Sequence, residues 1–178
     1  MSGTAPILHP PAAGAGRVCL VWLGAGCFAF DVALVGEVRE LAGVTPLPRC
    51  PAAVLGIANL RGQALAVVDT AQLLGLPGER VAPAPRPRVL VLRPATRGAS
   101  LAGLVIRGAT GVHDRAALGF RAGDPAIEPP VVAGFLTVPE HPGLVATLVA
   151  SGELLARLDA LRALRTSSAH SADRTVPA

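Results

Sequence analysis

Gly24, Gly26 and Ala29 stand at the spacing G-x-G-x-x-A inside VCLVWLGAGCFAFDVALVGEV. That spacing can cradle a dinucleotide pyrophosphate when a strand leads into it and a helix follows. Here residues 27–35 are strand formers, and residues 44–51 (VTPLPRCP) carry three prolines, which no second parallel strand tolerates. The context therefore favours a hairpin whose glycines accept the positive φ of a tight turn. Other catalytic patterns fail in the same way. GASLAG (98–103) has one residue too many for a nucleophile elbow. His113-Asp114 is an isolated pair, read as a surface turn in a loop. The histidines lie at no ligand spacing to Cys19, Cys27 or Cys50. An odd cysteine count without C-x-x-C suits reduced thiols better than a disulfide framework. The sequence thus predicts no enzyme, no cofactor and no metal, but a module that works by surface contact.

Composition narrows the partners. All 16 basic residues are arginine, the formal net charge is +4, and aromatics make up only 3%. A nucleic-acid surface would cluster its charge and add stacking aromatics. The nearest grouping, Arg86, Arg88, Arg93 and Arg97, is instead spread through a Pro-rich linker and a strand, so no nucleic-acid partner is expected. The uncharged run 18–30 falls short of the ~20 residues that a spanning helix needs, and no membrane insertion is expected. The first 16 residues lack a basic side chain, unlike a signal peptide, so the expected location is the cytoplasm.

The elements that must carry any surface are short strands. Residues 1–16 read as a flexible leader and 166–178 as a disordered tail. Hairpins are expected from 17–23 with 27–35, from 56–60 with 63–68 around Arg61-Gly62, from 88–92 with 101–106, and from 132–135 with 144–149. Asp69 can cap a short helix with Gln72 as its capping-box partner and Gly75 as its stop. Ser151 caps a second helix, to about Leu164, carrying Leu154, Leu155, Leu158 and Leu161 on one face.

VLGIANLRGQALAVVDTAQLL and VAGFLTVPEHPGLVATLVASGELL share an order of punctuation: an early glycine, a polar turn, an apolar strand, a capping residue and a leucine-bearing helix. Gly56 aligns with Gly134, and Asp69 with Ser151. The prediction is an all-β chain of two pseudo-symmetric lobes, since many short strands favour closure. Within a domain over 17–165, lobe 1 takes about 30–85 and lobe 2 about 88–150, with the terminal segments completing them.

The segment GIANLRGQALAVVDTAQLLGL resembles the signature of CheW-like chemotaxis adaptor domains. FAFDVALVGEVRELAGVTPLP, RVLVL, LAGLVIRGATGV, AIEPP and VVAGFLTVPEHPGLVATL resemble the rest of the family's order, over roughly residues 17–160. The resemblance implies two five-stranded β-barrel-like lobes and a non-catalytic scaffold joining chemoreceptor cytoplasmic tips to a CheA-type histidine kinase. It places Val35, Glu37, Gly56 and Arg61 at a receptor groove between the lobes, with Glu37 and Arg61 as a charge pair, and Ala64 at the kinase edge. Asn59, Leu60 and Gly62 complete the structural turn. Thr70-Ala71-Gln72 stand where the family often has an arginine, which leaves open an adaptor of a pilus-motility or other alternative chemosensory pathway. The remaining alternative is a ligand- or nucleic-acid-binding β-barrel without kinase partners.

Overall fold

The apolar runs that lack polar alternation are strands buried on both faces. In β1 (Arg17–Leu23), Val18 and Leu20 enter one hydrophobic cluster while Cys19, Val21 and Leu23 enter another. The computed structural model describes residues 16–76, 85–93 and 101–171. After β1 come β2 (Gly26–Asp31), β3 (Val35–Glu40), β4 (Val54–Leu60), β5 (Gln63–Val68), the short helix α1 (Thr70–Leu74), β6 (Arg88–Leu92) and β7 (Leu101–Ile106). They are followed by β8 (Gly108–Asp114), a 3-10 turn at Arg115–Ala117, β9 (Gly119–Ala122), β10 (Val132–Thr137), β11 (Val145–Val149) and α2 (Ser151–Ser171).

Two sheets result. One has five strands in the order β3-β6-β7-β5-β4, and the other has six in the order β8-β1-β2-β11-β10-β9. Each is antiparallel apart from one parallel join, β5 with β7 and β11 with β2. Thr45, beyond β3, exchanges hydrogen bonds of 2.8 and 2.9 Å with Ile57 of β4, so that one bridge from the segment after β3 reaches the opposite edge of the five-stranded sheet. In the six-stranded sheet β8 and β9 stand at opposite edges.

Each lobe has its own interior: Leu60, Leu65, Val67, Val89 and Val91 in the first, Val18, Leu20, Leu136 and Leu148 in the second. A third, central cluster draws Phe28 and Phe30 from one sheet, Leu90 and Leu104 from the other, and Leu73, Leu154 and Leu158 from the helices. No helix among the described residues is long and apolar enough to cross a membrane.

The internal repeat is physical. Val54 N–H donates to the Pro51 carbonyl and Val132 N–H to that of Pro129, each at 2.8 Å. Asp69 N–H donates to Ala53 and Ala150 N–H to Val131, again at 2.8 Å each. Gly56 and Gly134 both sit where the strand register shifts. The residue equivalent to Asp69 is therefore Ala150 and not Ser151, which is the first residue of α2.

Four further expectations are corrected. The lobe boundary does not fall near 85–88, since β6 and β7 (88–106) belong to the first sheet while β1 and β2 belong to the second. The strand expected over 27–35 ends at Asp31, whose Oδ1 accepts from Ala33 N–H at 2.8 Å and turns the chain from one sheet to the other. His113-Asp114 lies in β8 rather than a loop, with Asp114 capping the 3-10 turn. Helix α2 continues through residues 166–171, expected to be tail; residues 1–15 and 172–178 lie outside the described residues.

Candidate functional site

The motif Asn59-Leu60-Arg61-Gly62 turns β4 into β5. Leu60 pairs with Gln63, so only two residues make the turn, and both have positive φ, 53° at Arg61 and 83° at Gly62. That is the type I′ pattern, whose twist matches paired strands. Asn59 Oδ1 accepts from Gly62 N–H at 2.7 Å and locks it. Leu60 is buried in the interior of the first lobe.

This turn aims Arg61 across the mouth of the lobe. Arg61 Nη2 donates to Glu37 Oε2 at 3.0 Å, and Arg39 Nε lies 3.3 Å from the same oxygen. The Arg61 side chain is 66% exposed, so the pair contributes only ~0–1 kcal/mol to stability. Its geometry needs another explanation than stability. Beside it opens a concavity of about 520 Å³, lined among others by Glu37, Leu60, Arg61, Val91, Arg93 and Leu101. Its lining exposes apolar and polar groups in about equal measure, which suits a partner that brings both, and it lies on the five-stranded sheet alone, not between the lobes as the resemblance implied.

The other expected site residues are placed differently. Val35 is only 9% exposed and packs in the central cluster with Leu92, so its side chain cannot meet a partner in this conformation. Gly56 is buried beneath Thr45, and a Cβ at that position would collide with the Thr45 carbonyl; its role here is close approach of two backbones. Ala64 is exposed, opposite Asn59 on the β4–β5 hairpin. The family resemblance pairs Glu37 with Arg61 but does not point to Arg93. Its signal was a single charge closing the apolar run RVLVLR.

Gly24 and Ala25 turn β1 into β2, with Leu23 opposite Gly26. Gly24 alone of the two has positive φ, 56°, as in a type II′ turn. The chain continues from this loop into a strand, so the dinucleotide spacing lacks its helix. Burial pushes the Cys19 and Cys27 thiols above their ordinary pKa, partly offset at Cys27 by a hydrogen bond that its sulfur accepts from the Phe28 backbone N–H, which on balance disfavours the nucleophilic thiolate.

Comparison with known proteins fits this geometry. The CheW-like domain family matches residues 17–159. The chemotaxis protein CheW of Rhizobium meliloti (strain 1021) is 43% identical over 49 residues, which are 28% of this chain and 32% of that protein. The matched segment thus spans about a third of that relative's length. The crystal structure of the scaffolding protein TtCheW from Thermoanaerobacter tengcongensis shares the fold, with a TM-score of 0.58 at 20% identity over 76% of this chain and 88% of that one. With a family match across nearly all the described strands and the NLRG turn in place, this chain belongs to the CheW-like domain family.

Proposed function

We propose that this chain is a non-catalytic adaptor coupling the cytoplasmic tip of a chemoreceptor to a CheA-type histidine kinase. The observation that carries the reading is the Glu37–Arg61 pair. It stands beside a concavity lined by both apolar and charged side chains, within a domain matched to the CheW-like family over residues 17–159. A receptor tip is a helical hairpin, and docking it calls for a concave apolar strip with few polar anchors. Arg61 is a suitable anchor because its guanidinium is exposed and already oriented by Glu37. The kinase takes the exposed start of β5 at Ala64, three residues past Arg61 on the same hairpin but out of phase with the groove-lining Gln63, where a small side chain permits close approach. Two neighbouring contacts carried by one hairpin are what makes the protein a bridge.

The test is a three-component binding experiment with a receptor cytoplasmic fragment and the kinase regulatory domain. Arg61→Glu should lose receptor binding while its melting temperature stays near that of wild type, and Ala64→Glu should lose the kinase and keep the receptor. Failure of the wild-type protein to bind either partner at micromolar concentration would remove the reading. A parallel fall of stability and binding in Arg61→Glu would make Arg61 structural.

A further inference from the structure

Side chains alternate along a strand, so in a regular β3 Val35 and Glu37 would share a face. They do not. Val35 is opposite Leu92, with which it packs in the central cluster, and Glu37 is opposite Val91, which belongs to the interior of the first lobe. Between them Gly36 is an extra residue, and the register shifts there. Such a bulge re-aims the side chain that follows it. It sends Val35 into the core and delivers Glu37 to the lobe mouth, within reach of Arg61.

We propose that Arg93, by pinning the Gly36 bulge of β3, is the residue that positions Glu37 and Arg61 for docking. Its Nε donates to the Val35 carbonyl at 2.8 Å, and its backbone N–H donates to the Leu34 carbonyl at 2.8 Å. Among the described residues no other side chain is hydrogen-bonded to the backbone of residues 34–37. The fit around Gly36 is close: a Cβ there would stand 3.2 Å from the Val91 carbonyl oxygen and 3.7 Å from Arg93 Cγ. Arg93 also lines the concavity itself, so one side chain joins the wall of the groove to the strand that presents Glu37. Lysine cannot substitute fully, because its ammonium lacks the fixed planar fork that places Nε at a carbonyl.

The binding half of this inference rests on the adaptor reading, whereas the positioning half does not, and the experiment separates them. Hydrogen exchange on the full chain should show the amides of residues 34–38 opening about tenfold faster in Arg93→Met than in wild type, the scale of one charge-assisted hydrogen bond. Protection in β7 and β11 should be unchanged, and Arg93→Lys should fall between the two. Receptor-fragment affinity should drop by about the same factor, with kinase-domain affinity held. Exchange and receptor binding equal to wild type in Arg93→Met would overturn the proposal. So would loss of protection throughout both sheets in Arg93→Met and Arg93→Gln alike, which would make Arg93 a general stabiliser. If the wild-type chain binds no receptor fragment but the local opening is seen, the adaptor reading fails and the positioning role stands.

Discussion

Arg61 is held in a conformation that a residue with a Cβ adopts reluctantly, φ 53°, while its own largely exposed charge is paired with a half-buried Glu37. The left-handed region costs roughly 1–2 kcal/mol for most residues, and the ion pair returns ~0–1 kcal/mol. The residue is therefore a net liability to the fold, which is the balance expected of a side chain kept for contact. Asparagine tolerates this conformation, and Asn-Gly is the favoured dipeptide of a type I′ turn. Arg61→Asn should accordingly raise stability by about 1 kcal/mol, equivalent to a melting temperature about 2–4 °C higher for a chain of this size. It should at the same time lose receptor affinity. A thermal melt beside a binding isotherm checks both halves, and a variant that melts earlier than wild type would mean that the turn needs arginine for reasons of structure.

At the scale of elements, what could be read from sequence was punctuation. Gly24-Ala25-Gly26 and Arg61-Gly62 announced hairpins, the first one residue tighter than expected because Gly26 already pairs with Leu23, and Asp69 and Gly75 bounded α1: Asp69 Oδ1 accepts from Gln72 N–H at 3.2 Å and Gly75 takes φ 72°. These signals are local, which is why they survive without tertiary context. The break at Asp31 was missed because a single Asx turn interrupts residues that otherwise suit a strand throughout. Strands β8 and β9 were missed because, as largely exposed edges, they carry no apolar alternation. The bulge at Gly36 was invisible too, since register depends on which strand lies alongside. The paired glycines test the repeat at this scale. A Cβ at Gly56 would strike the Thr45 carbonyl, and one at Gly134 would strike the Arg121 carbonyl and the Phe120 ring. Gly56→Ala and Gly134→Ala should each cost about 2–4 kcal/mol in denaturant unfolding. Gly152→Ala, in open space in the first turn of α2, should instead stabilise by roughly 0.5–1 kcal/mol. Unequal outcomes for the first two would show that the two bulges are alike in geometry but not in energetic weight.

For the whole molecule the decisive feature is the exchange of strands between the halves of the chain. The chain enters through β1 and β2 in the six-stranded sheet, crosses at residues 32–34 to build the five-stranded one, and returns at β8. Neither lobe is a continuous segment, and this is why a boundary near 85–88 could not be right. The central cluster then takes side chains from both sheets and both helices, and Arg157 of α2 donates to the Leu73 carbonyl of α1 at 3.0 Å. The groove and the β4–β5 hairpin both belong to the first lobe, which this shared core ties to the second. The consequence is a single cooperative unit, with calorimetric and van't Hoff enthalpies in agreement. Leu154 is fully buried in that cluster, so Leu154→Ala should cost about 2–5 kcal/mol and shift the one transition without splitting it. Two resolved transitions, with only the second sheet destabilised by the substitution, would mean that the lobes are separate folding units, and that the groove and hairpin edge, both on the first lobe, do not depend on the central cluster for their placement.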